Sequence, residues 1–103
     1  MRSRLPQQTA PAILVRVNGL GPHEPLLMGD TKIGRHSSNN IVIDDLSVSA
    51  YHAVIRYQNG SFVLYPQAVK VPMKVNGFVT QAAVQLENGD IITFGVTQFR
   101  FVR

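Results

Sequence analysis

The sequence predicts an all-β fold, a sandwich or a barrel of short strands. Short segments rich in β-branched and aromatic residues recur along the chain, and turn residues separate them. Asn-Gly dipeptides, the strongest short-range signal for a β-hairpin, start at Asn18, Asn59, Asn76 and Asn88. No window of about 11 residues places apolar side chains at helical spacing. Many short strands with frequent turns are typical of a sandwich or a barrel.

The expected strands follow one another with short connections. The first segment, AILVRVN at 12–18, is rich in β-favouring residues and ends at Gly19, and the loop NGLGPHEP follows it. Further segments between turn residues continue the pattern. They are residues 26–28, 32–34, 41–43, 53–58, 62–65, 74–75, 84–86, 90–94 and 97–102.

The chain of 103 residues is long enough for one domain and too short for two. Residues 1–11, MRSRLPQQTAP, are rich in Pro and Gln and lack periodicity. We therefore expect a disordered tail or linker over 1–11 and a single domain over 12–103.

Alternating apolar residues in the strands predict the core, because successive side chains of a strand point to opposite faces of its sheet. We expect the apolar members of these alternating segments to pack and not to bind ligands. They are Ile41, Ile43, Val54, Phe62, Leu64, Ile91, Ile92, Phe94, Phe99 and Phe101.

Composition and charge argue against several classes of function. The chain has no cysteine, so it has no disulfide and no thiolate metal site, and it fits the reducing conditions of the cytoplasm. No apolar run approaches the roughly 18 residues of a membrane span, and no secretory signal is recognised. The formal net charge is +4, but the basic residues are scattered and do not interleave with aromatic ones. We therefore expect no nucleic-acid binding.

The stretch 32–52, KIGRHSSNNIVIDDLSVSAYH, is the most informative part of the chain. It resembles the signature of the forkhead-associated (FHA) domain, which runs Gly-Arg, a variable loop, Asn-x-Ile-x-Ile/Leu-Asp and Val-Ser-Arg-x-His. One position departs from that pattern, because Ala50 stands where Arg is usual. The residues that match are Gly34, Arg35, Asn39, Ile41, Ile43, Asp44, Val48, Ser49 and His52.

Two further blocks are similar to FHA sequences, LENGDIITFG at 86–95 and VNG at 75–77. The blocks occur in the family's order, and together the resemblance covers roughly residues 12–102. It implies a β-sandwich of two mostly antiparallel sheets with ligand loops at one end. It also implies a protein-interaction module that binds phosphothreonine in partner proteins. We expect no cofactor.

The resemblance assigns the phosphate contacts to Arg35 and Ser49. Arginine presents a planar fork of donors that matches phosphate oxygens, and a serine hydroxyl adds a short hydrogen bond. Two alternatives remain open: Arg35 could pair with Asp44 or Asp45, and the Ser49 hydroxyl could bond to nearby backbone. Lys70 could supply a cation in place of the missing Arg at Ala50, although simple solvent exposure is its other interpretation.

Other matching residues are expected to support the binding loops. The resemblance makes His52 a structural residue that holds the serine loop by hydrogen bonding, and Asn39 an amide that stabilises its loop. Gly34 is expected to permit the turn that presents Arg35, and Asn76 lies in the VNG turn. No His, Cys or carboxylate lies at metal-ligand spacing from His52, so we expect neither a metal site nor a catalytic residue.

One family motif is missing. FHA domains usually carry Asp-x-x-Ser-x-Asn-Gly-Thr before the Val-Asn-Gly turn, where this chain has PQAVKVPM at 66–73. Val71 cannot donate a side-chain hydrogen bond to a peptide. Two hypotheses follow: a weak phosphothreonine-peptide binder, or a phosphate-independent scaffold in a larger bacterial signalling or secretion protein. In the second hypothesis, Val69, Val71, Pro72 and Met73 form an exposed contact surface.

Overall fold

The computed structural model describes residues 9–67 and 70–103, and in these ranges it contains eleven strands and no helix. The strands are β1 (Thr9–Arg16), β2 (Glu24–Leu27), β3 (Asp30–Gly34), β4 (Ile41–Val42), β5 (Ala53–Gln58), β6 (Ser61–Pro66), β7 (Met73–Val75), β8 (Phe78–Thr80), β9 (Val84–Gln85), β10 (Ile91–Phe94) and β11 (Thr97–Val102). No helix in the described ranges is long and apolar enough to cross a membrane.

The strands form two sheets. One has six strands in the order β2-β1-β11-β10-β7-β8, and the other has five in the order β4-β3-β5-β6-β9. Neighbouring strands pair antiparallel except β3 and β4, which pair in parallel through Ile33↔Ile41 and Gly34↔Val42. The predicted sandwich of two mostly antiparallel sheets is confirmed.

The core between the sheets is built on four fully buried phenylalanines. The rings of Phe62 and Phe101 meet edge to face with their centroids 5.3 Å apart, and those of Phe94 and Phe99 do so at 5.8 Å. Such pairs add about 0.5–1.5 kcal/mol each beyond the burial of their area. The expected core residues are buried except two.

Val54 and Ile91 are those exceptions, since each is only half-buried. Val54 pairs with the exposed Lys32 across β3 and β5, so it lies on the outer face of its sheet. The alternation in β5 instead buries Ala53 and Ile55. Placing Val54 in the core was therefore wrong.

Two elements differ from the expected boundaries. β1 begins at Thr9, earlier than the start expected at residue 12, and Ala10 lies buried in it; residues 1–8 of the expected tail are outside the described ranges. β8 was not predicted. It follows a two-residue turn in which Asn76 and Gly77 have φ of 54° and 84°, the backbone that a tight hairpin requires.

Several connections meet at one end of the sandwich, which we call the loop end. The pairs Ile33↔Ala53 and Ala53↔Pro66 bring the connections after β3, before β5 and after β6 together. The turn between β10 and β11 reaches the same place, because the Val96 N–H donates to the Ser47 hydroxyl at 3.0 Å. The loops with the sequence-predicted binding residues therefore share this end.

Candidate functional site

Arg35 directly follows β3 at the loop end, and two hydrogen bonds fix it. Its backbone N–H donates to the Ser49 carbonyl at 3.0 Å, and its Nε donates to the Val48 carbonyl at 3.0 Å. The only ion pair within the described residues joins Arg56 to Asp30, so the expected alternative of an Arg35 pair with Asp44 or Asp45 is not formed. The two terminal nitrogens of the exposed Arg35 guanidinium remain available to a ligand.

Ser49 lies beside Arg35, held through its backbone. Its carbonyl accepts from Arg35, and its N–H donates to Nδ1 of His52 at 2.9 Å. The Ser49 hydroxyl has no hydrogen-bond partner in the described part of the chain, so the backbone bond considered from sequence is absent there. The expected proximity of Arg35 and Ser49 is confirmed, and both present an unused donor.

Gly34 allows two loops to touch, the one after β3 that holds Arg35 and the one before β5 that holds Ser49, which we call the two binding loops. A Cβ at this position would overlap the carbonyl oxygen of Ala50 and lie 2.9 Å from Nδ2 of Asn39. The φ angle of Gly34 is not in the left-handed region, so the expectation that glycine is needed for the turn was wrong. Glycine is needed because no side chain fits between the loops.

Asn39 joins the same two loops. Its Nδ2 donates to the carbonyls of His36 and Ala50 at 2.9 and 2.8 Å, and the side chain is buried. The His36 N–H donates to the same Ala50 carbonyl at 3.2 Å. Asn39 is thus a loop-stabilising amide, as expected from sequence.

His52 lies fully buried beneath the Ser49 loop. Its N–H donates to Ile33 and its carbonyl accepts from Gln67, both at 2.9 Å. The imidazole lies edge-on to Phe94, with ring centroids 5.6 Å apart. Because Nδ1 accepts the Ser49 N–H, the proton is on Nε2, which is buried without a partner among the described residues. The structural role expected for His52 agrees with these contacts.

The burial of His52 lowers its pKa below the ordinary value, and a pH dependence of stability follows. The unfolded chain takes up a proton near pH 6.5, whereas the folded chain resists protonation until a lower pH. The contribution is therefore complete above about pH 6.5 and is lost as pH falls toward the folded pKa. Urea unfolding should show a lower midpoint at pH 5 than at pH 7.5.

The stability that depends on His52 is lost at a higher pH than the stability that depends on the carboxylates. Hydrogen bonds from Arg56 to Asp30, and from Ser47 and Thr97 to Asp45, hold the pKa of each carboxyl below its ordinary range. The stability that depends on those carboxylates is lost only below about pH 4. A urea midpoint that stayed constant between pH 7.5 and 5 would contradict the assignment to His52.

The connection from β6 to β7 leaves the loop end next to His52, through the bond of Gln67 to its carbonyl. Lys70 is exposed on this connection, and its proximity to Arg35 and Ser49 remains a prediction. Met73 is only 1% exposed and begins β7. Its expected place on an exposed apolar surface was therefore wrong, and Val69 lies outside the described residues.

Asn76 lies at the other end of the sandwich. Its Nδ2 donates to Asp90 at 3.0 Å and its Oδ1 accepts the Ile91 N–H at 2.9 Å, at the start of β10. The loop end lies beyond Phe94, where β10 ends. Asn76 therefore stabilises the β7–β8 turn, and its expected support of the binding loops was wrong.

The structure also brings together residues that the sequence reasoning missed. The rings of His36 and Tyr51 stack with centroids 5.3 Å apart, one from each binding loop. Ser38 bonds to Nδ1 of His36 at 2.8 Å and lies 3.4 Å from the Tyr51 hydroxyl. The available signal was the presence of aromatic rings in two loops expected to be neighbours.

Comparison with known proteins identifies relatives of this chain. A family model described as the FHA domain matches residues 31–95, more than half of the chain. The glycogen accumulation regulator GarA of Mycolicibacterium smegmatis is 33% identical over 98 residues, which are 95% of this chain and 60% of GarA. The human proliferation marker protein Ki-67 is 33% identical over 81 residues, which are 79% of this chain and 2% of Ki-67.

A solved structure agrees in fold. Mycobacterium tuberculosis EmbR, in complex with a low-affinity phosphopeptide, superposes with a TM-score of 0.82 at 32% identity. The match covers 88% of this chain and 24% of that one. This chain thus spans less than two thirds of GarA, Ki-67 and EmbR alike.

Proposed function

This chain belongs to the FHA domain family, and on that premise we propose that it binds phosphothreonine peptides weakly through Arg35 and Ser49. The observation that supports this function most is the open pair of donors at the loop end. The Nε of Arg35 donates to the Val48 carbonyl, which fixes the guanidinium. No carboxylate in the described part of the chain pairs with its two terminal nitrogens. The Ser49 hydroxyl lies in the adjoining loop and has no described partner.

In the proposed mechanism, the guanidinium of Arg35, held in a fixed orientation, recognises the phosphate group electrostatically. Two terminal nitrogens of Arg35 donate to phosphate oxygens, and the Ser49 hydroxyl donates to a third. Because Nε is already bonded to Val48, the guanidinium loses little freedom when the phosphate binds. Lys70 on the neighbouring connection adds a point charge, which lacks the bidentate geometry of a second arginine.

The binding should be weak because Ala50 and Val71 provide no side-chain donors. Each missing charge-assisted hydrogen bond removes about 1.5–3 kcal/mol, and each 1.4 kcal/mol is a factor of about ten in affinity. We expect phosphothreonine peptides to bind with a Kd of about tens of micromolar or weaker.

Arg35→Ala tests this function. Loss of the fork should weaken binding of a degenerate phosphothreonine peptide library by at least about tenfold, and calorimetry should find no measurable heat. The matched control is Arg100→Ala, which removes an exposed arginine from β11. The control should keep the affinity of the unaltered domain. Equal affinity of the Arg35→Ala variant and the unaltered domain would refute the proposal.

A phosphate-independent scaffold in a larger bacterial signalling or secretion protein is the second candidate. The missing donors at Ala50 and Val71 favour it, and exposed Pro72 would contribute to its contact surface. The discriminating measurement compares peptides with threonine and phosphothreonine at the same position. Equal binding of both, retained in Arg35→Ala, would favour the scaffold.

We further propose that the domain is not an enzyme and that it acts in the cytoplasm. It forms one unit over 12–103, to which β1 adds residues from Thr9 onward. Its partners are then proteins or phosphothreonine peptides, and neither nucleic acid nor direct membrane insertion is involved. The lack of cysteine and the scattered basic residues support this view.

A further inference from the structure

A cavity of about 330 Å³ lies on the outer face of the five-stranded sheet, where it is lined in part by the loops that hold Arg35 and Ser49. We call it the Lys32 pocket. Its floor is the cross-strand pair of Lys32 and Val54, and its wall is formed by Ser38, Tyr51 and Gln67. A cavity of this size fits one or two side chains of a peptide.

The wall of the Lys32 pocket is ordered before any ligand arrives. Tyr51 is stacked on His36, and the Ser38 N–H donates to Nδ1 of that histidine at 3.0 Å. The backbone of Lys32 is also fixed, since its N–H donates to Oδ1 of Asn40 at 2.8 Å and its carbonyl accepts the Asn40 N–H at 2.9 Å.

The polar groups that line the pocket are suited to an anion. The donors left for a ligand are the Lys32 ammonium, the Tyr51 hydroxyl and the Gln67 amide, because Asn39 Nδ2 already donates to the His36 and Ala50 carbonyls. No carboxylate lines the described part of the cavity. Asp30 lies on the same strand, but its two oxygens accept from Arg56 at 2.7 and 3.1 Å. The charge of Lys32 is therefore left for a ligand.

The pocket shares two loops with the proposed phosphate site, since Asn39 and Tyr51 line it. Asn39 follows Arg35 in one loop, and Tyr51 follows Ser49 in the next. An extended peptide advances about 3.3 Å per residue. A peptide anchored by its phosphothreonine at Arg35 therefore reaches the pocket within a few residues.

We propose that the Lys32 pocket binds the anionic side chain of a residue that flanks the phosphothreonine in the same peptide. This inference rests on the proposed function and adds to it a preference for acidic partners. The side chain is a carboxylate of Asp or Glu, or the phosphate of a second modified residue, since both present the same acceptor chemistry.

The test measures the Kd of phosphothreonine peptides with Ala, Asp or phosphoserine at each flanking position, on either side. At one position, Asp should tighten binding about two- to fivefold relative to Ala, the range of a solvent-exposed ion pair. Lys32→Gln should remove that gain and leave the affinity for the all-Ala peptide unchanged. Lys74→Gln, which removes an exposed lysine from β7, should keep the gain.

The outcomes separate the two proposals. No gain from Asp or phosphoserine at any position, or equal loss in both lysine variants, would overturn the pocket. A gain from phosphoserine alone would assign the pocket to a second phosphate. Amide shifts measured with an Asp-rich peptide that lacks phosphate give an independent result. Lys32-dependent shifts at Tyr51 and Gln67 would uphold the pocket even if phosphothreonine binding failed.

Discussion

Replacing Gly34 with alanine is expected to force the two binding loops apart and to destabilise the domain. The new Cβ would overlap the Ala50 carbonyl oxygen, a backbone atom that cannot rotate away as a side chain can. Overpacking costs about 1–3 kcal/mol, and the backbone contact places this variant at about 3 kcal/mol. Denaturant unfolding should show the loss as a lower midpoint with the same slope.

The same substitution should also abolish phosphopeptide binding. The Ala50 carbonyl accepts from the His36 N–H and from Nδ2 of Asn39, so displacing it releases the loop that follows Arg35. The matched control is Gly29→Ala, since a Cβ there meets nothing within 4 Å and the φ angle is not positive. The control should be neutral or slightly stabilised. Equal stabilities of the two variants would contradict the close contact of the loops.

The sequence predicted most of the fold because its signals are local. Asn-Gly turns and alternating apolar residues depend on neighbours in the chain, and they located the strands and the four core phenylalanines. β8 was missed although Asn76-Gly77 marked a hairpin that requires a second strand. Val54 was misplaced because Ala53, a small residue, occupies the inward position of β5 and weakens the alternation.

The site was predictable only where a family motif marked it. Arg35 and Ser49 were found by resemblance, and their proximity agrees with the structure. The reason for Gly34 could not be found, because the Ala50 carbonyl lies far along the chain and meets Gly34 only after folding. The burial of Met73 and the stacking of His36 on Tyr51 likewise depend on contacts between distant segments.

The two binding loops are supported from below by one histidine, which links the stability of the fold to the geometry of the site. His52 accepts the Ser49 N–H through its side chain. Its carbonyl accepts the N–H of Gln67, on the connection from β6 to β7, and its N–H donates to the Ile33 carbonyl of β3. A change at this residue should therefore alter both the free energy of unfolding and the position of Ser49.

His52→Ala is expected to lower the free energy of unfolding by at least about 3 kcal/mol. Truncating this fully buried ring leaves a cavity against Phe94. Large-to-small substitutions in a core cost about 2–5 kcal/mol. The Ser49 N–H also loses its acceptor, which adds about 1–3 kcal/mol if it stays buried. Thermal unfolding should show a Tm lowered by about ten degrees or more for a domain of this size.

The matched control is His23→Ala, which removes an exposed histidine from the loop before β2 and should leave the Tm unchanged. Because His52→Ala also removes the buried titrating group, the stability of this variant should no longer fall between pH 7.5 and 5 as it does in the unaltered domain. A variant that kept full stability but lost phosphopeptide binding would make His52 a ligand contact. In that case the burial of His52 and the assignment of its proton to Nε2 would not hold for the domain in solution.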